Sequence, residues 1–222
     1  MGIVTKISLT ADAYVDGGSP DTNFGSSESI LVGDNWIEGY HHPYEALVNF
    51  SLENIPSNAI LDYAKLWLYV AGWGHSHYTR TITAYLINSS WNESNVTWNN
   101  KPSYSSSPNS STDVYDTSQW YFWDITQHIK SALTTGIFYG IYLRATDSDK
   151  GYYIMRSKEY SDASLHPYCE ISYYVPSEPV AINTQPSLFS KPIFYAYTLE
   201  EVIPIHYLEC TIAKGEGIPT AR

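Results

Sequence analysis

The chain has 222 residues and carries 12 basic against 23 acidic side chains, a net charge of −11. That length allows one large β domain, or one ordinary domain with an appendage, and a core that needs no disulfide or metal staple. The sign of the charge excludes a nucleic-acid binder driven by phosphate neutralisation and argues against binding to anionic membrane surfaces. Tyrosine supplies 21 residues and tryptophan 7, while charged side chains make up only 16%. Such a balance suits an extracellular or particle-surface β protein (virion or cell surface) better than a cytosolic metabolic enzyme. No run of about 18 apolar residues is present, so no membrane insertion is expected. The opening MGIVTKISLTADAYVDGG has no apolar h-region, so no signal peptide is expected.

In chain order, strands are expected at 2–9 and 12–16, then at 29–33 and 45–51 after the turn-rich DGGSPDTNFGSSES. NIPSN punctuates the chain before Ala64, Leu66, Leu68 and Val70, which alternate with Lys65, Trp67 and Tyr69 as in a half-buried strand. A strand at 80–87 precedes NNKPSYSSSPNSS, read as loop, and a strand at 111–116 follows. Residues 124–135 read as a short amphipathic helix. Asp124 would be its N-cap and Gln127 would complete a capping box, with Ile125, Ile129, Ala132 and Leu133 on one stripe and Gly136 as the stop. Alternation returns at Ile137, Tyr139, Ile141 and Leu143, and strands at 151–157 and 167–175 close the series. The expected fold is an all-β, antiparallel, jelly-roll-like sandwich over residues 1–175.

Residues 176–222 differ in texture. They hold half of the twelve prolines, yet they include IFYAYTL and VIPIHYL, which are apolar enough to need burial. They are expected to form an extended C-terminal arm. In one reading Phe194, Tyr195, Tyr197, Ile203, Ile205 and Tyr207 contact other subunits of the same or a larger assembly; in the other the arm folds back on its own domain. Cys169 and Cys210 either pair or remain two buried thiols, and the absence of a CxxC or metal spacing favours thiols.

Three stretches carry a family pattern: ADAYVDGGSPDTNFGSSESILVG (11–33), WNESNVTWNNKPS (91–103) and RSKEYSDASLHPYCEISY (156–173). Together they resemble the disaggregatase-related, DNRLRE-type β-sandwich modules, which are classed among carbohydrate-binding modules. The likeness covers about residues 8–175, with His166 where that pattern usually has Arg and Cys169 where it usually has Leu. It implies a sandwich without chemistry of its own. It also implies that Trp91, Thr97, Trp98 and Pro102 anchor a long loop.

Aromatics placed in turns are the candidates for stacking a sugar or meeting a protein: Trp36, Tyr40 and Tyr44, and Trp73 and Tyr78. His75 and His77 would share a strand face, but a solvated turn is the stronger reading of that pair. Asp147 and Asp149 read as a polar hairpin turn. Calcium is the one cofactor considered, at Asp12, Asp16 and Asp21 of the first loop. Sequons begin at Asn49, Asn88, Asn92, Asn95 and Asn109. No nucleophile, zinc or phosphate-loop signature appears. The expectation is therefore no enzyme. The first reading is a structural or adhesive protein on an assembly surface, oligomeric through its arm; the second is a polysaccharide-binding accessory module.

Overall fold

The computed structural model describes residues 2–146 and 151–176, without the side chain of Trp36. The expected arm contacts Phe194, Tyr195, Tyr197, Ile203, Ile205 and Tyr207, together with Cys210, Asp147 and Asp149, lie outside those residues.

The described chain is all-β. Its strands are β1 (Ile3–Ser8), β2 (Ala11–Asp16), β3 (Ser29–Ile37), β4 (Tyr40–Asn49), β5 (Ile60–Gly74) and β6 (Arg80–Ile87). There follow β7 (Tyr104–Val114), β8 (Gln119–Asp124), the helix α1 (Thr126–Thr135), β9 (Ile141–Ala145), β10 (Tyr152–Arg156) and β11 (Tyr168–Tyr174). All pairings are antiparallel. One curled sheet runs β1-β11-β5-β10-β3-β4-β9-β6-β7, with β8 added to β5 and β2 to β4.

The curl makes two facing layers. β5 is the spine of the first: one edge pairs with β11 and then β10, the other with β8. β4 centres the second, between β2 or β3 on one side and β9 on the other. β3 passes between layers. Ser29–Gly33 pair with β10, and Gly33 to Ile37 pair with β4. Gly33 turns this corner at φ +132, where a Cβ would sit 2.6 Å from the Gly151 carbonyl oxygen, so only glycine fits.

Alternation decides which faces meet. Ala64, Leu66, Leu68 and Val70 of β5 are fully buried and join Ala46, Val48, Ile82, Ala84 and Leu143 in the main core. The alternate residues Leu47 and Tyr142 point the other way, into a second cluster with Ala13, Val15 and Val96. Trp91 and Trp98 of the 88–103 loop pack on that cluster, so the loop roofs the outer face of the second layer.

Several elements differ from expectation; β9 begins at Ile141 rather than at Ile137, which is exposed. β8, the run QWYFWD, has aromatics on both faces and so shows no period-2 signal; Trp123 enters the core while Phe122 faces out. β7 begins at Tyr104, inside the Ser/Asn-rich stretch read as loop, because pairing with β6 holds it. α1 starts one residue later than the capping pattern implies. Its N-cap is Ile125 without a side-chain cap, and Asp124 Oδ1 instead accepts the Thr126 backbone N–H at 2.9 Å. The helix ends as expected on left-handed Gly136, whose N–H bonds to the Ala132 carbonyl at 2.8 Å.

Candidate functional site: a charged cleft beside the long loop

The three segments that carry the family pattern converge. The Asp12 N–H donates to Glu93 Oε1 at 2.6 Å, and Asp12 Oδ2 accepts the Lys158 N–H at 2.9 Å. Lys158 Nζ lies 3.1 Å from Glu93 Oε1 and also bonds Glu159. Asn23 Nδ2 donates to the carbonyls of Glu93 and Val96, and Trp91 Nε1 to that of Tyr139 at 2.8 Å. Thr97 takes the Asn100 side chain on its backbone N–H, and Pro102 is buried. Burial pushes the Asp12 carboxyl up to about 7, with Glu159 and Glu93 adding to the rise. A raised carboxyl is a frequent mark of acid catalysis, but this one is 1% exposed and committed to holding segments together.

The structure gives the three aspartates of the calcium expectation different partners. Asp12 joins Glu93 and Glu159, whereas Asp16 Oδ1 accepts the Gly18 N–H and Asp21 Oδ1 accepts the Asn99 amide. Each of the three carboxylates is spent on its own loop contact. In their place, Asp12, Glu93 and Glu159 are the one group among the described residues whose oxygens approach a ligand set, and the Lys158 ammonium already pairs with two of them.

The turn aromatics differ in setting. Tyr40 is exposed at the β3–β4 hairpin, and Tyr78 is exposed in the loop after β5. Trp73 is stacked on His77 at 5.0 Å, and His77 on Tyr115 at 4.5 Å, so His77 is a ring spacer whose Nε2 meets the Tyr115 carbonyl. Tyr44 is no turn residue. It sits on β4, 8% exposed, against Tyr14 and Tyr152.

Tyr44 does, however, wall a cleft of about 360 Å³ together with Asp34, His41, Glu45, Trp98, Lys101 and Arg144. Each element delivers its part for a local reason. β3, past the Gly33 corner, brings Asp34; β4 brings His41, Tyr44 and Glu45; β9 brings Arg144; the loop roof brings Trp98 and Lys101. Asp34 is held by the fully buried Arg80 at 3.1 Å and by His41 at 2.6 Å. Glu45 takes Lys101, the Arg144 Nε at 3.4 Å and the Tyr142 hydroxyl at 2.5 Å. Lys101 Nζ also lies 3.0 Å from the Trp98 ring centre, a cation–π contact.

Exposure sets what an incoming molecule meets. The carboxylates are sunk, with side chains 8% and 9% exposed, whereas His41 and Arg144 are each 40% exposed and Lys101 22%. Burial pushes the Lys101 ammonium below its ordinary value while Glu45 pulls it back up. Burial, and then the Glu45 charge, drive the Tyr142 phenol upward, so it stays a hydrogen-bond donor to Glu45. The cleft thus offers cationic donors and an indole over a floor of neutralised acids.

Set beside known proteins, residues 3–173 match the model of carbohydrate-binding module family 96. The chain belongs to that family. It is 27% identical over 183 residues to the tRNA nuclease WapA of Bacillus subtilis strain 168, covering 78% of this chain and 8% of the nuclease. A tRNA3(Ser)-specific nuclease WapA of Bacillus spizizenii matches at the same identity and coverage. A gellan lyase of a Bacillus species is 29% identical over 136 residues, 61% of this chain and 5% of the lyase. The module spans less than a tenth of these relatives. Among the described residues, no helix is long and apolar enough to cross a membrane.

Of the cleft's lining, the sequence alone points to Tyr44, as a sugar-stacking or protein-contact aromatic, and to Trp98, as a loop anchor. Lys101 stands three residues from Trp98 within the family-like segment, which was a usable signal. Arg144 and Glu45 are brought in by strand pairing that spans nearly a hundred residues, Ala46 opposite Leu143, and no local pattern announces them.

Proposed function

We propose that this family-96 module is non-catalytic and binds a carboxylate-bearing polysaccharide in the cleft between Trp98, Lys101, Arg144 and His41. The observation that carries the reading is the inversion of exposure: in a chain of net charge −11, the cleft hides its acids and shows its cations. Arg144 and Lys101 are placed to receive a sugar carboxylate or hydroxyls, with Lys101 held over the Trp98 ring. Asp34 and Glu45 are each locked to cations, which suits positioning rather than proton transfer. The gellan lyase relative supports a setting among polysaccharide-active proteins, and such a setting is extracellular or surface-bound.

The test is affinity electrophoresis through gels containing gellan, alginate or polygalacturonate. Retardation that disappears in the Lys101→Gln/Arg144→Gln variant supports the reading, and equal retardation of both proteins refutes it. The assembly role, in which residues after Val175 dock on other subunits, is checked by light scattering: truncation at Val175 lowers the number of chains per particle only if that role holds.

A further inference from the structure

The outer face of the first layer is ordered in rows by strand register. Lys6 stands opposite Glu170, Glu170 opposite Lys65, and Lys65 opposite Asp124. This row alternates in sign and cancels. One step along the strands, Tyr168 stands opposite Trp67 and Trp67 opposite Phe122, and a further step pairs Tyr69 with Trp120. The rings touch: Trp67 and Phe122 centres are 4.9 Å apart, and Trp120 and Tyr168 are 5.4 Å apart. The row ends at a trough of about 380 Å³ walled by Trp120 and Phe122 of β8 and by Ser110, Ser111 and Thr112 of β7.

Two buried polar atoms at this surface have no partner, Trp67 Nε1 beneath the ring row and Ser110 Oγ in the trough. Such groups cost free energy unless something hydrogen-bonds them. Aromatic walls facing hydroxyls, of which Thr112 already donates to the Phe122 carbonyl and Ser111 is bonded to Thr83, suit a ligand with apolar C–H faces and hydroxyl edges. The charge row cancels, Lys65 is held over the Phe122 ring, and Asp124, the one charged residue among the described ones lining the trough, is bonded by Thr126, which together suit a ligand without charge. We infer that this face is a second carbohydrate site, separate from the cleft, and that it takes an uncharged polysaccharide chain.

The test uses the full chain in pull-downs with amorphous cellulose, xylan, mannan and amylose at 0.15 M salt, with near-ultraviolet circular dichroism as the folding control. The wild type is retained by at least one of these. Trp120→Ala/Phe122→Ala binds it at least about tenfold more weakly, as loss of two ring contacts implies, while retardation by gellan, alginate or polygalacturonate is unchanged. If the double variant loses its dichroism, Trp120→Phe and Phe122→Leu replace it, and a weakening of about threefold or more is expected. Retention on none of the four, or equal retention of wild type and variants, overturns the inference. A concentration-dependent dimer that Trp120→Ala dissolves also overturns it, by assigning the face to a second copy. Neutral-chain binding that depends on Trp120 but not on Arg144 upholds it even if the cleft binds nothing.

Discussion

Glu45 is the node of the cleft, and removing it has a calculable consequence. Its carboxylate takes Lys101, Arg144 and the hydroxyl of Tyr142, a residue with no exposed surface. Glu45→Ala leaves that hydroxyl buried without an acceptor, which costs about 1–3 kcal/mol. Breaking a fully buried ion pair by removing one partner costs roughly 3–5 kcal/mol. Here the cations are 22% and 40% exposed and regain water, so the ionic share is discounted to about 1 kcal/mol. The sum expected for Glu45→Ala is about 3 kcal/mol. Glu45→Gln keeps an acceptor for Tyr142 and loses about half as much. Urea unfolding at pH 7 measures both as a lower midpoint at unchanged slope. A second change checks the cause: adding Tyr142→Phe to Glu45→Ala removes the orphaned hydroxyl and recovers about 1 kcal/mol. A loss below about 1 kcal/mol for Ala, or equal losses for Ala and Gln, would refute the account of the node.

Two further perturbations test the framework around the site. His128 of α1 is 1% exposed, its Nε2 faces the Ala84 carbonyl at 3.1 Å, and its Nδ1 is buried without a partner. Burial lowers its pKa below the ordinary 6.5, so the unfolded chain takes the proton more readily. Its contribution to stability is therefore full above pH 6.5 and declines as the pH falls below that value; His128→Leu shows a shallower decline between pH 7 and 5 in thermal melts, and an unchanged slope counts against the assignment. At Gly140 the backbone φ is +108, and a Cβ would lie 2.3 Å from the Val48 carbonyl oxygen. Gly140→Ala is expected to cost on the order of 3 kcal/mol, and a variant with wild-type urea midpoint would contradict the close approach.

How much of this was legible in the chain follows from where each signal lies. Period-2 alternation at Ala64–Val70 is local, and it marked both the core face and the outer row of Lys65, Trp67 and Tyr69. What alternation did not reveal was that Tyr168 and Phe122 stand beside Trp67, because register joins residues some 50 to 100 positions apart. β8 escaped because aromatics fill both of its faces. The sugar candidates were sought in turns, on the reasoning that loops carry function; Tyr40, Trp73 and Tyr78 are exposed, and Tyr44 is buried on β4. The cleft was illegible in a stronger sense. Asp34, Glu45, Lys101 and Arg144 are ordinary charges in the sequence, and only the layer crossing at Gly33 and the loop roof bring them together. The first-loop aspartates looked like ligands because they are close in sequence, yet the fold sends each to a different neighbour.

The most direct test of the central claim is the affinity of the intact chain for polygalacturonate, alginate and gellan, with methyl-esterified polygalacturonate as the uncharged control. Binding to at least one acidic chain is predicted, weakened at least about tenfold in Lys101→Gln/Arg144→Gln and falling as salt rises. Binding that ignores both the two cations and the ester, or no binding to any of the acidic chains, would contradict it.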